Sequence, residues 1–411
     1  MYAGTFVGAT FLWPLSFLCY IPLFQIQFIS MKQAAQSGLV WGLFAYGCTL
    51  SALLDVAIKM GDNSFLSYVC AITFLVYFAC GSVLWFVGAF LLSAIAKNRL
   101  IGWFIATIVY VVFMYEIGLI GLTGGWHGYP LMLPLVPLAQ FPPLLGLLSF
   151  FGYGGLLCFL LVFQLGVAYK KKELIFLGLA PFIGGMLIKE KKEPSFLHEI
   201  IIPIAHRFKE KLPYERAQEV CQVLLKAEEN FPKGMVLVLP ESAFPFPLNE
   251  HLYALKMWHN NGNLFEKYLV VPSHYKKAKE DVLYNSVYVL YKGRIIVRYD
   301  KKLLVPFFEA PSWNFFLNEF HHLFLQGKEI FTPGLQKETS WLFLNQYPVG
   351  FCICSELLWN FSHQKLVFVV VHDGYYRFLY FPHVLELLAR FKSEQLQCQI
   401  VYSSWNLGWI V

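Results

Sequence analysis

The residues best suited to covalent chemistry lie in Tyr347-Pro-Val-Gly-Phe-Cys-Ile-Cys-Ser-Glu-Leu-Leu-Trp359. The first half of this stretch alternates and is rich in Val, Ile and Phe, the pattern of a short buried strand. Ser355 and Glu356 then open Leu357-Leu358-Trp359, a composition suited to the first turn of a helix. Cys354 is therefore expected at a strand-to-helix junction, where free backbone N–H groups and the helix dipole favour a thiolate. A sharp turn at such a junction presents the side chain to substrate, as nucleophile elbows do. Cys352 lies inside the strand, where apolar burial raises a thiol's pKa and leaves it inert. Taken alone, the pair reads more readily as two core cysteines, because free Cys is among the most often buried residue types.

Two other polar positions change that balance. Glu241 immediately follows Gly234-Met-Val-Leu-Val-Leu-Pro240, an apolar run that reads as a buried strand ended by its proline. A carboxylate at the C-terminal end of such a strand sits where open α/β sheets place ligand chemistry, although it is equally a residue that caps a turn. Lys301 follows the second strand of a hairpin, and the apolar Leu303 to Phe308 then lead to Glu309. Strand-end lysines are usually solvated, but these surroundings allow one to be buried and paired.

The elements that must carry these residues alternate in type. Pro213 to Asn230 keeps Ala217, Val220, Cys221, Leu224 and Ala227 at helical spacing. Leu269-Val-Val-Pro272 reads as a strand, and Asp281–Tyr291 and Arg294–Tyr299 form a hairpin across Lys292-Gly293. Strands at Ser340–Leu344, Leu366–Val371 and Gln399–Ser403, with a helix across Phe381–Gln395, complete an α/β layered domain.

The first half of the chain has a different character. Of the 411 residues, 57% are hydrophobic and only 14% charged, far below the charge content of an ordinary soluble domain. From Met1 to Ile188 long apolar runs dominate, and Lys189-Glu-Lys-Lys-Glu193 marks the change to ordinary polarity. The division is thus a transmembrane helical domain over 1–193 and a second domain of ordinary polarity over 194–411. Six apolar segments, 10–29, 38–58, 65–96, 100–122, 142–168 and 173–188, approach or exceed the roughly 20 residues that cross a bilayer. With alternating sides, Lys32, Lys97, Arg99 and Lys170-Lys171-Lys172 share one face. The positive-inside rule makes that face cytoplasmic and puts the second domain outside, against a mild opposing signal from Lys189 to Lys192. Glu116, inside an apolar run, and the following Gly121-Leu-Thr-Gly-Gly-Trp-His-Gly-Tyr-Pro130 are a candidate membrane site or an ordinary aromatic-belted loop.

Several classes are disfavoured. The nine cysteines include no CxxC and no His/Cys cluster at zinc spacing, so neither a disulfide framework nor a metal site is suggested. The net charge of +6 is scattered, without a nucleic-acid footprint.

Read together, Leu-Pro-Glu241-Ser-Ala-Phe-Pro, Tyr299-Asp-Lys301-Lys-Leu-Leu-Val-Pro-Phe-Phe-Glu309 and Ile-Cys354-Ser-Glu356 resemble the Glu–Lys–Cys triad of the nitrilase superfamily. The Tyr-x-Lys-x-x-Leu-Val-Pro-Phe-x-Glu spacing behind a multi-helix membrane region is similar to apolipoprotein N-acyltransferases, its membrane-bound branch. The likeness runs over most of the chain and includes the Glu116 region. It implies an αββα sandwich after the membrane helices, with Cys354 as nucleophile, Glu241 as general base and Lys301 stabilising the oxyanion, supported by Glu309 and Glu356. It implies a cofactor-free monomer of the bacterial inner membrane, with its catalytic domain on the periplasmic side. Cys354 would take an acyl chain from phospholipid as a thioester and pass it to the α-amine of a lipoprotein's diacylglyceryl-cysteine. Three features depart from the family pattern. Ser355 replaces a tyrosine and Phe308 a glycine, and His372-Asp-Gly-Tyr-Tyr376 replaces an Asn-Asp-Ala-Trp-Phe-like segment. The chain also ends at Val411, without the family's last strands and closing membrane helix. The alternative is a TraB-like relative of conjugative transfer systems, with a different acceptor or no catalysis.

Overall fold

The computed structural model describes residues 17–44, 64–111, 142–185, 200–209, 211–231, 235–260, 262–277, 282–304, 309, 331–334, 341–343, 347–358, 364–373 and 380–410. Glu116, the Gly121–Pro130 loop, the Lys189–Glu193 cluster and Phe308 lie outside the described residues. Contacts divide the chain into two units. One is Met1–Lys191 with Ser312–Phe324 and Tyr376–Gln395; the other is Lys192–Pro311 with Leu325–Tyr375 and Leu396–Val411.

In the first unit, α1 (Ile21–Gln25), α2 (Ser64–Ile95), α3 (Arg99–Val111), α4 (Pro142–Ala168) and α5 (Lys172–Gly185) follow the expected apolar segments over their described parts. The segment 10–29 differs. Its described part is α-helical only at Ile21–Gln25, with a proline in the first turn and Ile26 extended beyond the end. Tyr20 and Phe24 are buried there and pack edge-on against Trp85. A Cβ at Gly178 would run into the Phe163 backbone, so α4 and α5 owe their close approach to a small residue. Although α2 runs 32 residues without a charge, among the described residues no helix is long and apolar enough to cross a membrane.

The second unit holds two sheets. The first contains β1 (Ile201–Pro203), β2 (Val236–Val238), β3 (Phe244–Pro247), β4 (Tyr268–Lys277), β5 (Val282–Tyr291) and β6 (Arg294–Asp300), in the order β1-β2-β4-β5-β6 with β3 beside β4. The second contains β7 (Trp341–Phe343), β8 (Tyr347–Ile353), β9 (Leu366–Val371), β10 (Gln399–Ser404) and β11 (Gly408–Ile410), ordered β11-β10-β9-β8-β7. Central neighbours β1/β2/β4 and β8/β9/β10 are parallel.

The apolar run around β2 is continuous because both of its faces are covered. Val236 and Val238 join Val270, Val289, Phe351, Phe368 and Val401 in the core between the sheets. Leu237 and Leu239 turn the other way, onto α6 (Pro213–Asn230) through Ala217, Val220 and Leu224, and onto Trp258 of α7 (Tyr253–His259). Ser403 of β10 ties the sheets together, its single hydroxyl hydrogen shared between the Ile204 and Val238 carbonyls at 2.7 and 3.0 Å. The hairpin turns at Lys292-Gly293, both at positive φ, as a tight primed turn requires. The unit is thus α/β, with a helical layer over two facing sheets. The helix expected near Phe381–Gln395 forms as Tyr380–Leu396 and groups almost entirely with the first unit.

Candidate active site

Glu241, Cys354, His372 and Trp405 follow β2, β8, β9 and β10, and Lys301 follows β6. The ends of these strands bring residues far apart in sequence to one place. Pro240 closes β2, and the chain turns at Ser242, a non-glycine residue at φ 58. The buried Arg216 of α6 holds that turn by donating to the Ser242 and Ala243 carbonyls at 3.2 and 3.1 Å. Cys354 begins a five-residue 3₁₀ turn, Cys354–Leu358, rather than an α-helix. Its φ of 48 places it in the left-handed region, a costly conformation that persists only where surroundings enforce it. The strand ends at Ile353, so Cys354 and Cys352 do not share a strand face. Cys352 is fully buried, while Cys354 is half-buried and packs against the inter-sheet core.

The five acidic, basic and thiol residues singled out in the sequence converge. Lys301, 1% exposed, sits 3.8 Å from Glu241 and 2.8 Å from Glu309. The Cys354 thiol donates to the Glu241 carboxyl and lies within electrostatic reach of Lys301 and Glu309. Glu356 stands behind them as a tether. Its Oε1 accepts from the Tyr299 hydroxyl at 2.9 Å and the Lys302 N–H at 2.7 Å, and its Oε2 from the Ile353 N–H at 2.9 Å. The Ser355 hydroxyl donates to the Leu303 carbonyl at 3.1 Å. The segment carrying Lys301 is therefore stitched to the turn carrying Cys354.

Burial dominates the electrostatics. It raises the Glu241 carboxyl, and Glu309 adds to the rise while Lys301 and the Asn285 amide oppose it. Burial alone would lower the Lys301 ammonium, but Glu309 and Glu241 outweigh it and raise Lys301 instead. The Cys354 thiol is pushed well above its ordinary value by burial first and then by Glu241, with Lys301 opposing. The thiolate expected from a helix dipole is thus corrected. A five-residue turn contributes little dipole, and two carboxylates face the sulfur. Cys354 rests as a thiol, with the Glu241 carboxyl in contact with it.

Other residues of the site were not singled out from the sequence. Asn285 donates to Glu241 Oε1 at 3.1 Å, the His372 N–H donates to Glu241 Oε2 at 2.9 Å, and the Trp405 indole N–H donates to the Glu241 carbonyl at 2.8 Å. The His372 ring lies 4.0 Å from that of Trp405. Asp373 accepts from the Ser404 hydroxyl at 2.8 Å, linking the ends of β9 and β10. Asn285 had a signal: an asparagine inside an apolar strand is disfavoured and must find partners when buried. Among the described residues no cluster of His, Cys, Asp and Glu could hold a metal.

No family model matches the chain. It is 31% identical over 151 residues to the apolipoprotein N-acyltransferase of Wolinella succinogenes, covering 35% of this chain and 34% of that protein. It is 26% identical over 231 residues to that of Aquifex aeolicus, covering 53% of this chain and 51% of that protein. The chain thus spans between a third and about half of the length of these curated relatives. Among solved structures, a carbon-nitrogen hydrolase from Helicobacter pylori G27 aligns with a TM-score of 0.37 and 14% identity over 50% of this chain and 71% of that one. Saccharomyces cerevisiae Nit3, of the nitrilase superfamily, aligns with a TM-score of 0.37 and 17% identity over 50% and 74%. At such scores these structural likenesses carry no argument. Motif order and sequence similarity point the same way: this chain resembles the apolipoprotein N-acyltransferases.

Proposed function

We propose that the chain is a membrane-embedded N-acyltransferase with a nitrilase-like catalytic domain over 194–411 behind a transmembrane helical domain over 1–193. The observation that carries this reading is the convergence of Glu241, Lys301 and Cys354, each at a strand end, on one buried site. The named relatives favour it over the conjugative-transfer alternative. The membrane embedding rests on composition and on uncharged runs such as Ser64–Ile95.

In the reaction, Glu241 takes the Cys354 proton as the sulfur attacks an ester carbonyl of the phospholipid. The raised carboxyl makes Glu241 a better base than an ordinary glutamate. The Lys301 ammonium, held by Glu309, faces the oxyanion of the tetrahedral intermediate. The C–O bond breaks, the lysophospholipid leaves with the proton from Glu241, and the acyl chain remains on Cys354 as a thioester. The α-amine of a lipoprotein's diacylglyceryl-cysteine then attacks. The C–S bond breaks, and the amine's proton passes through Glu241 back to the sulfur. All the reacting side chains come from one chain, so a monomer suffices.

Incubation with a fluorescent phospholipid is expected to label the purified protein through a bond that hydroxylamine releases, and the label is expected to move to a diacylglyceryl-cysteine peptide. A protein that takes up no hydroxylamine-labile label would refute the reading. The lysine distribution supports a catalytic domain on the periplasmic side of a bacterial inner membrane, against the mild opposing signal from Lys189 to Lys192. Reporter fusions after Lys192 are expected to be active outside the cytoplasm; activity only inside it would reverse that orientation.

A further inference from the structure

One buried side chain touches both carboxylates that flank Lys301. Asn285, 7% exposed on β5, donates from its amide nitrogen to Glu241 Oε1 at 3.1 Å and to Glu309 Oε1 at 3.0 Å. Its own carbonyl accepts the Lys301 N–H at 2.8 Å, extending the β5/β6 pairing to the lysine. The amide's orientation follows from chemistry, because two carboxylates face it and only its NH₂ can donate to both.

We infer that Asn285 is a positioning residue for the general base, giving one N–H to each carboxylate so that Glu241 is aimed at Cys354 and held in its proton-accepting form. This rests on the proposed roles of Glu241 and Cys354. An amide suits the place because it satisfies both acceptors without adding charge. Lys301 is the cation between the same two carboxylates, and a second cation would compete with it, whereas a third carboxylate would face two others.

Among the described residues, the charged and titratable groups around Glu241 are these. Lys301 and Glu309 flank it, and the Cys354 thiol meets it. His372 at the end of β9 contributes its backbone N–H, with its ring against Trp405. His274 on β4 is the register partner of Asn285; burial lowers its imidazole to about 4, so it is neutral at physiological pH. Burial raises Glu241 and the Asn285 bond opposes the rise, so losing that bond moves the base's titration to higher pH.

The test is the pH dependence of Cys354 alkylation by iodoacetamide in the purified full-length protein, mapped by mass spectrometry, because it needs no acyl donor. Asn285→Ser, which keeps one hydroxyl donor, is expected to shift the lower limb of the profile up by about one pH unit, a roughly tenfold slowing below it. Asn285→Asp is expected to shift it further. Variant profiles that superimpose on the wild type, or that drop equally at every pH, would overturn the inference, since a purely packing role moves no limb. Should Asn285→Asp fold poorly, Asn285→Ser decides. If the wild-type Cys354 itself reacts no faster than Cys352, it is the proposed nucleophile role that falls instead.

Discussion

Cys354→Ser is expected to abolish acyl-enzyme formation, a loss on the order of 10³-fold or more, while Cys352→Ala keeps the label. The two sulfurs are only two residues apart, but the structure separates them. Cys352 is fully buried within β8, its register partner Val369 on β9. Its truncation is expected to cost about 1 kcal/mol through lost packing. Cys354 stands at φ 48 with its thiol on the Glu241 carboxyl. Serine there keeps the backbone and the hydrogen bond, but a hydroxyl is far harder to deprotonate than a thiol, and a carboxylate base tuned to sulfur does not reach it. The check is phospholipid labelling, hydroxylamine release and peptide mapping of both variants. Label retained in Cys354→Ser and lost in Cys352→Ala would show the assignment to be reversed.

Lys301→Met is expected to cost both activity and stability, and to make the stability loss depend on pH. The ammonium is buried between Glu241 and Glu309, so methionine leaves two buried carboxylates facing each other without a cation. Breaking a buried pair from one side costs about 3–5 kcal/mol, and losing an oxyanion partner costs roughly 10²–10³-fold in turnover. The pH dependence follows from Glu241, whose carboxyl is already raised by burial with Lys301 opposing. Without Lys301 it rises further. A carboxyl raised above its unfolded value contributes stability that is present below the ordinary carboxylate range and lost as pH rises through the raised value. The melting deficit of Lys301→Met relative to the wild type is therefore expected to be largest near about pH 8 and to shrink toward about pH 5. Thermal denaturation at the two pH values checks this. An equal deficit at both would mean that packing, not paired charge, is what Lys301 provides.

Local pattern was enough to place many elements. The helix Pro213–Asn230 formed over the expected span because its apolar positions recur at helical spacing and a proline opens it. The strand Leu366–Val371 and the hairpin across Lys292-Gly293 were equally legible, since burial on both faces and turn geometry are written in neighbouring residues. Glu241 and Cys354 could be singled out because each is a reactive type at the end of an apolar run, and Lys301 because it follows a hairpin strand and an apolar stretch comes after it.

The sequence by itself thus determined which residues could react and on which elements they stand. Tertiary structure decided their charge states and their company. A thiol beside a turn reads as a thiolate until burial, and then Glu241 brought in from the end of a distant strand, raise it instead. Two of the contacts that fix Glu241 come from His372 and Trp405, 131 and 164 residues away along the chain. No periodicity encodes such pairings, because a hydrogen bond or a desolvated charge depends on what the fold places within a few ångströms, and only the packing of two sheets brings those strand ends together.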